Sequence, residues 1–281
     1  MPFMNMQAIK DLVKRSFLGI VYRRRRNAKR KLELENHLAS LNAVKPEKLS
    51  DTSFDIFTYH GEDGIIAYLL GHLRDVPPVF VDIGAGDCII GNCSSLIVHD
   101  GWEGVFFDKD CRKLAVGKKF YKEELAKGVN LRFVEGEITP GNINELLLKT
   151  GIKKDIGLLS VDIDGNDYWI WKAVEVISPR IVVIESKVEF GLHDVIVPYG
   201  NHNHRSVDTM YNGASAKASV KLARRKGYRL AGANKQGYNL FFVREDEPIK
   251  SESTEVALSS ESAVRSFYPE SFFSEHKFVT E

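Results

Sequence analysis

The stretch VFVDIGAGDC, residues 79–88, indicates the fold class. Its first five residues form an apolar run with the length of a buried strand. Gly84 and Gly86 follow at once, and glycine permits a tight turn and a close approach of the backbone to a ligand. A strand that runs through such a turn into a helix is typical of nucleotide-binding α/β folds. A plain turn between strand and helix is the alternative, because Ile89 stands where the dinucleotide fingerprint has its third glycine.

Further strands and helices alternate on both sides of this stretch. Strands are predicted at 104–108, 131–136, 156–163, 180–186, 228–232 and 239–244, and helices at 62–73, 92–99, 110–127, 142–150, 168–177 and 213–226. This alternation predicts a Rossmann-like, doubly wound and mostly parallel sheet with helices on both faces. The last two strands are joined by a short turn and are expected to form an antiparallel pair at one edge.

Acidic residues stand at the ends of the first two predicted strands. Asp82 closes the first strand, and Asp108 closes the second, 22 residues after Gly86. In nucleotide-binding α/β folds an acid at this spacing accepts the ribose hydroxyls. Each acid alone would also fit an ordinary loop, but the strand, the glycine turn and the second acid together favour a ligand site.

Three more acids, Asp162, Asp164 and Asp167, follow the fourth strand. Carboxylates crowded at one strand end repel each other unless a cation, hydrogen bonds or a proton compensates. Asp162 and Asp164 are therefore candidate catalytic residues, whereas Asp167 also suits the first turn of a helix. Glu185 ends the next strand and would complete an all-oxygen metal site with Asp162 and Asp164, although no metal is expected.

A histidine-containing segment, 187–212, follows the fifth strand and is expected to cover the mouth of the pocket. It holds His193, His202 and His204 together with Tyr199 and Tyr211. A histidine there is a candidate general base, and His193 is counted among the catalytic candidates. Exposed loop histidines without a role are the alternative.

The charge divides the chain into three parts, although the formal net charge is only +1. The head, 1–48, carries ten Lys and Arg and one acid within its first 31 residues, and reads as a basic amphipathic helix for an anionic membrane surface or an acidic partner. Docking of that helix on the body or on another subunit is the alternative, and nucleic acid is not expected as a partner. The tail, 245–281, has nine acids and three bases; its first half reads as a linker, and its aromatic second half is expected to dock.

The body, 49–244, carries the chemistry. The three cysteines, Cys88, Cys93 and Cys111, have no zinc or disulfide spacing, so a reducing, cytoplasmic location is expected. Association with a membrane through the head is an open possibility, as is an oligomer.

Taken together, the body resembles the FkbM-type branch of the S-adenosylmethionine-dependent methyltransferases over about residues 54–244. The resemblance rests on HGEDGIIAYLL (60–70), VFVDIGAGD (79–87), GWEGVFFD (101–108), LLSVDIDGNDYWIWKAV (158–174), PRIVVIES (179–186), NGASAKA (212–218) and KGYRLAGANKQGYNLFFVR (226–244). Two departures stand out: Cys88 replaces a more usual glycine, and Asp164 and Asp167 stand where the family tends to have glutamates.

The resemblance implies a seven-stranded sheet of the class I methyltransferase type, with S-adenosylmethionine at the strand ends. It implies that Asp82, Gly84, Ala85 and Gly86 contact the methionine part and that Asp108 takes the ribose. It also implies Glu135 or Glu137 near the adenine, Asp162 beside the methyl group and Glu185 on the acceptor side. The predicted activity is methylation of a hydroxyl on a small-molecule or glycan acceptor. An NAD-dependent oxidoreductase and a non-catalytic methyltransferase-like binding module are the alternatives.

Overall fold

The computed structural model describes residues 29, 31–40, 46–200 and 211–279. Its strands are β1 (Val79–Ile83), β2 (Glu103–Asp108), β3 (Leu131–Glu135), β4 (Asp155–Val161), β5 (Ser178–Glu185), β6 (Tyr228–Ala233) and β7 (Asn239–Arg244). They form one sheet in the order β3-β2-β1-β4-β5-β7-β6. Strands β1 to β5 are parallel, and β7 pairs antiparallel with both β5 and β6. The predicted doubly wound, seven-stranded sheet with its antiparallel pair at one edge is confirmed.

Helices cover both faces of the sheet. They are α1 (Glu62–His72), α2 (Ser94–Asp100), α3 (Cys111–Phe120), α4 (Lys122–Ala126), α5 (Ile143–Lys149), α6 (Asp167–Ala173), α7 (Ala216–Arg225), α8 (Thr254–Ala257), α9 (Glu261–Arg265) and α10 (Glu270–Glu275). Two short 3₁₀ turns lie at Leu49–Thr52 and Val188–Phe190. Successive residues of β1 enter different cores: Phe80 packs with α1 and α2, and Val81 packs on the other face with α5 and α6. Burial on both faces explains the continuous apolar run of this strand.

Several element boundaries differ from the predictions by a few residues. Strand β4 ends at Val161, so Asp162 lies just beyond the strand. Helix α6 ends at Ala173, because Val174 is extended and Glu175 N–H donates to Asn144 Oδ1 of α5 at 2.9 Å. The helical stretch predicted at 110–127 is divided at Tyr121, whose buried hydroxyl donates to the Cys88 carbonyl at 2.6 Å. In the two helical stretches a tertiary contact overrides local propensity.

The tail packs against the body along its described length. Its first half is not a linker, since Leu258 and Ala263 are buried in the core beneath α7. Its second half docks as predicted: Phe272 is buried against Phe190 and Val197. The first half is rich in serines and acids, and this composition predicted a linker. Its few apolar residues nevertheless pack into the core.

The predicted basic helix of the head falls mostly on residues 1–28, outside the described residues. Residues 31–40 are helical; Leu34 is buried, and Lys31 Nζ lies 2.9 Å from Asp100 Oδ1. Among the residues that the structure describes, no helix combines the length and the hydropathy that crossing a bilayer requires.

Candidate active site

A cavity of about 460 Å³ opens where the parallel strands end. It is lined by the loops that follow β1, β2, β3 and β4, and by Tyr199 and Gly200 from the segment after β5. The strand order reverses between β1 and β4, because β2 and β3 lie on one side of β1 and β4 and β5 lie on the other. Ligands of doubly wound sheets bind at such a switch point, outside the carboxyl ends of the strands.

The glycine turn after β1 forms the floor of this cavity. Gly84 has φ +86°, and a Cβ there would lie 1.7 Å from the Asp162 carbonyl oxygen. Gly86 has φ +55°, and a Cβ there would meet nothing within 4 Å. Gly84 thus lets β1 approach the loop after β4, whereas Gly86 presents bare backbone to the cavity. Ala85, between them, is 8% exposed and does not line the cavity.

Asp108 joins the glycine turn to the end of β2. Its Oδ2 accepts the Gly86 N–H at 2.8 Å, and its Oδ1 accepts the Asp110 N–H at 2.8 Å. The carboxylate is buried at 9% exposure yet lines the cavity. Two backbone donors therefore fix its orientation, and a carboxylate oxygen has lone pairs left for ligand hydroxyls.

Asp82 is placed differently from the prediction. It is buried on the face of the sheet that carries Phe80 and does not line the cavity. Burial, and secondarily the charge of Asp162, raises the pKa of Asp82 to about 7. Its side chain hydrogen-bonds with Ser160 and Cys93. Asp82 therefore links β1 to β4 and to Cys93 beneath the cavity through buried hydrogen bonds.

Cys88 also lies away from the ligand space. Its backbone has φ +59°, and its side chain is 1% exposed. It packs against Gly117 of α3, where a Cβ would come within 2.6 Å of the Cys88 Cβ. The extra bulk at this position is thus accommodated by a glycine of the neighbouring helix.

Three carboxylates meet between the ends of β4 and β5. One oxygen each of Asp162, Asp167 and Glu185 lies within 4.8 Å of the others. The predicted metal grouping had Asp164 in place of Asp167. The turn carries Asp164 outward with φ +57° to the cavity rim, and Asp167 folds back to accept the Ile163 and Gly165 N–H groups, each at 2.8 Å.

Crowding separates the proton affinities of these carboxylates. Burial and the charge of Asp164 raise the pKa of Asp162 to about 6. Burial and the charges of Asp167 and Asp162 raise the pKa of Glu185 to about 9. Of these two carboxyls, Glu185 therefore holds a proton more readily than Asp162 does.

Glu62, at the start of α1, is a neighbour that the sequence analysis missed. It is 3% exposed, and its charge contributes to the raised pKa of Asp162. Glu62 Oε1 accepts the side-chain amides of Asn234, just after β6, at 2.8 Å and of Asn239, the first residue of β7, at 2.9 Å. The sequence showed only an acid beside Asp63 at the start of a helix. The partners of Glu62 could not be predicted, because they lie more than 170 residues away.

Two other candidates are not at the cavity. Glu135 is exposed and absent from the lining, whereas Glu137, the alternative after β3, lines it. His193 packs on the tail: its ring stacks on Phe273 at 3.7 Å between centroids, and its Nε2 lies 3.1 Å from Glu270 Oε1. His193 therefore has partners in the tail and is not among the residues that line the cavity. His202 and His204 lie outside the described residues.

No family model matches the chain, and no curated protein matches it in sequence. Solved structures are similar to it at low identity. A protein from Corynebacterium glutamicum is 11% identical, with a TM-score of 0.45 over 76% of this chain and 90% of that one. Magnesium protoporphyrin IX methyltransferase from Synechocystis, with bound SAH, is 12% identical, with a TM-score of 0.42 over 65% and 81%. An O-methyltransferase family protein from Burkholderia thailandensis is 10% identical, with a TM-score of 0.39 over 67% of this chain and only 60% of that protein.

Proposed function

We propose that this protein is a methyltransferase of the FkbM type that uses S-adenosylmethionine to methylate a hydroxyl of a small-molecule or sugar-like acceptor. The observation that carries the proposal is the pairing of Asp108 with the Gly86 N–H inside the cavity at the switch point of the sheet. The motifs over residues 54–244 support the same assignment.

The residues present fit the cofactor. Gly86 leaves room for close contact, since a Cβ there would meet nothing within 4 Å, and Asp108 offers an oriented carboxylate for a pair of ribose hydroxyls. Bound S-adenosylmethionine supplies an already activated methyl group on a positive sulfonium. The chain then has to align the two reactants and exclude water, which accounts for most of the rate in such transfers.

Asp162 is the residue we assign as the proton acceptor. It lines the cavity, and its pKa of about 6 leaves it mostly ionised at neutral pH. We assign Glu185, which lies beside Asp162 and whose pKa is raised to about 9 by burial and the neighbouring acids, as a hydrogen-bond donor on the acceptor side. Asp164, at the rim, is a second acidic contact for the acceptor.

Calorimetry with S-adenosylhomocysteine (SAH) tests the cofactor assignment. We expect the wild type to bind and Asp108→Asn to bind about 10-fold or more weakly, because a charge-assisted hydrogen bond is lost. Glu103→Gln, at the opposite end of β2 and outside this cavity, is the matched control and should bind like the wild type.

The rival functions give different results in the same instrument. Binding of NADH in place of SAH would identify an oxidoreductase. Binding of SAH without methyl transfer to any of a broad panel of hydroxylated acceptors would identify a binding module. Failure of the wild type to bind SAH, or equal binding by Asp108→Asn, would overturn the proposal.

A further inference from the structure

The outer wall of the cavity is built by a segment with little regular structure. Residues 188–200 contain only the 3₁₀ turn Val188–Phe190, yet Tyr199 and Gly200 line the cavity. Tyr199 is 45% exposed, and burial together with the charge of Glu137 raises its pKa. Tyr199 therefore brings a ring from the β5 side of the sheet into a lining that it shares with Glu137, after β3, and with the glycine turn.

Contacts from the body hold one side of this segment, where Ile196 bridges Ala214 and Ser215 N–H donates to the Val195 carbonyl at 3.0 Å. Trp169 Nε1 donates to the Val197 carbonyl at 3.0 Å, and Val197 N–H donates to the Gly213 carbonyl at 2.9 Å. The Trp169 ring also meets the Tyr199 ring edge-on, with centroids 6.5 Å apart. These contacts tie residues 195–199 to α6 and to residues 213–215, and they leave the opposite side of Ile196 for another partner.

The C-terminal clasp, which we define as residues 267–279, covers that opposite side. Ile196 and Val279 exchange two backbone hydrogen bonds of 3.0 and 2.8 Å, three residues before Tyr199. Tyr268 N–H donates to the Glu189 carbonyl at 2.7 Å. Phe190, 0% exposed, is enclosed by clasp rings, among them Phe278 at 5.4 Å and Phe272 at 6.2 Å between centroids. Without the clasp, Phe190 and Ile196 would lose these partners.

We propose that the C-terminal clasp positions Tyr199, and that Tyr199 contacts the ligand bound in the cavity. Residues 188–200 contain little regular structure, so the backbone that carries Tyr199 is held by the clasp on one side and by Trp169 and residues 213–215 on the other. The ligand is the S-adenosyl cofactor, so this part of the inference rests on the proposed function. The tail is then a functional wall of the site as well as a covering for apolar surface.

A double-mutant cycle tests the proposal. Its variants are Tyr199→Ala, Phe272→Ala and the two together, and its readout is SAH affinity by calorimetry. We expect each single change to weaken binding about 10-fold and the double variant to be no weaker than about 10-fold, because both changes remove the same contact. Effects that multiply to about 100-fold, or unchanged binding by Phe272→Ala, would show that the clasp does not act through Tyr199.

Two matched variants separate positioning from general stability. Phe272→Leu keeps an apolar side chain and should restore most of the affinity. Val264→Ala changes an apolar residue that is 51% exposed in α9, outside the clasp, and should leave affinity unchanged. The Michaelis constant for the cofactor should rise in Phe272→Ala with little change in kcat, since the reacting end of the cavity is untouched.

A second readout needs no ligand. Trp102 and Trp171 are buried and Trp169 is half-buried, so acrylamide quenching of tryptophan fluorescence reports mainly on Trp169. We expect Phe272→Ala to increase that quenching. Unchanged quenching in Phe272→Ala would overturn the proposal that the clasp positions this wall, even if the wild type binds SAH. Increased quenching in a protein that does not bind SAH overturns the proposed function but retains the positioning of this wall.

Discussion

Gly84 and Gly86 lie two residues apart, but a side chain would meet different surroundings at the two positions. At Gly84 a Cβ would fall 1.7 Å from the Asp162 carbonyl oxygen, whereas at Gly86 it would enter open space in the cavity. We expect Gly84→Ala to destabilise the fold by about 2–4 kcal/mol through overpacking and a positive φ. We expect Gly86→Ala to fold and to lose SAH binding.

Urea unfolding and SAH calorimetry on both variants check this contrast. The variants control for each other, because both place a methyl group on a glycine of positive φ in one turn. Equal stability of the two proteins, or wild-type SAH affinity in Gly86→Ala, would contradict the separate roles assigned to these residues.

At the scale of elements, Asp167 determines how β4 connects to α6. The carboxylate is 2% exposed and accepts the N–H groups of Ile163 and Gly165, which would otherwise be without these partners in the turn. We expect Asp167→Ala to lower the free energy of unfolding by about 2–4 kcal/mol, since buried donors lose their acceptor. Asp167→Asn keeps one acceptor oxygen and should cost less.

Urea denaturation measures the difference, and Asp164→Asn is the matched control. Asp164 stands in the same turn but is exposed, and asparagine tolerates its positive φ. A loss in Asp164→Asn as large as that in Asp167→Ala would show that any charge change in the turn is damaging, and that the two hydrogen bonds are not the cause.

At the scale of the whole molecule, buried carboxyl groups make stability depend on pH. Burial raises the pKa of Asp82 and of Asp167 to about 7, and that of Asp63 to about 6. A carboxyl with a raised pKa binds more protons in the folded protein than in the unfolded chain. Stability is therefore greatest below the unfolded pKa, near 4, and falls as the pH rises through the folded values.

We expect the free energy of unfolding to fall by at least ~2 kcal/mol between pH 5 and pH 8, as one pKa unit corresponds to about 1.4 kcal/mol. Asp82→Asn removes one of these groups without changing its size, so its slope should be shallower. Urea titrations at several pH values measure both slopes. A stability that rises over this interval would contradict the assigned pKa directions.

Much of the fold was predictable because its signals are local. Apolar runs of strand length separated by helical spacing predicted all seven strands and the parallel sheet. Asp108 and Asp162 were predicted at the ligand edge for the same reason, since parallel strands end on one side of a sheet. The structure places both residues in the lining of one cavity.

Other parts of the site depend on contacts between distant segments. The choice of Asp167 over Asp164 as the partner of Glu185 was set by a turn that directs one acid outward and folds the other back. Glu62 hydrogen-bonds with Asn234 and Asn239, which lie more than 170 residues later in the sequence, and His193 pairs with Glu270 of the tail. No periodicity within a short window carries such information, because side-chain direction in loops is settled by packing.

The sequence by itself determined the layered α/β architecture, the edge of the sheet at which ligands bind and the acids that stand there, because these follow from periodicity and strand ends. Only the tertiary structure decided which acids lie together, which glycine faces the cavity and which segment after β5 lines it. The tail illustrates the difference: its aromatic residues predicted docking, but the contacts of Phe272 and Val279 with the segment before Tyr199 depend on long-range packing that no local pattern encodes.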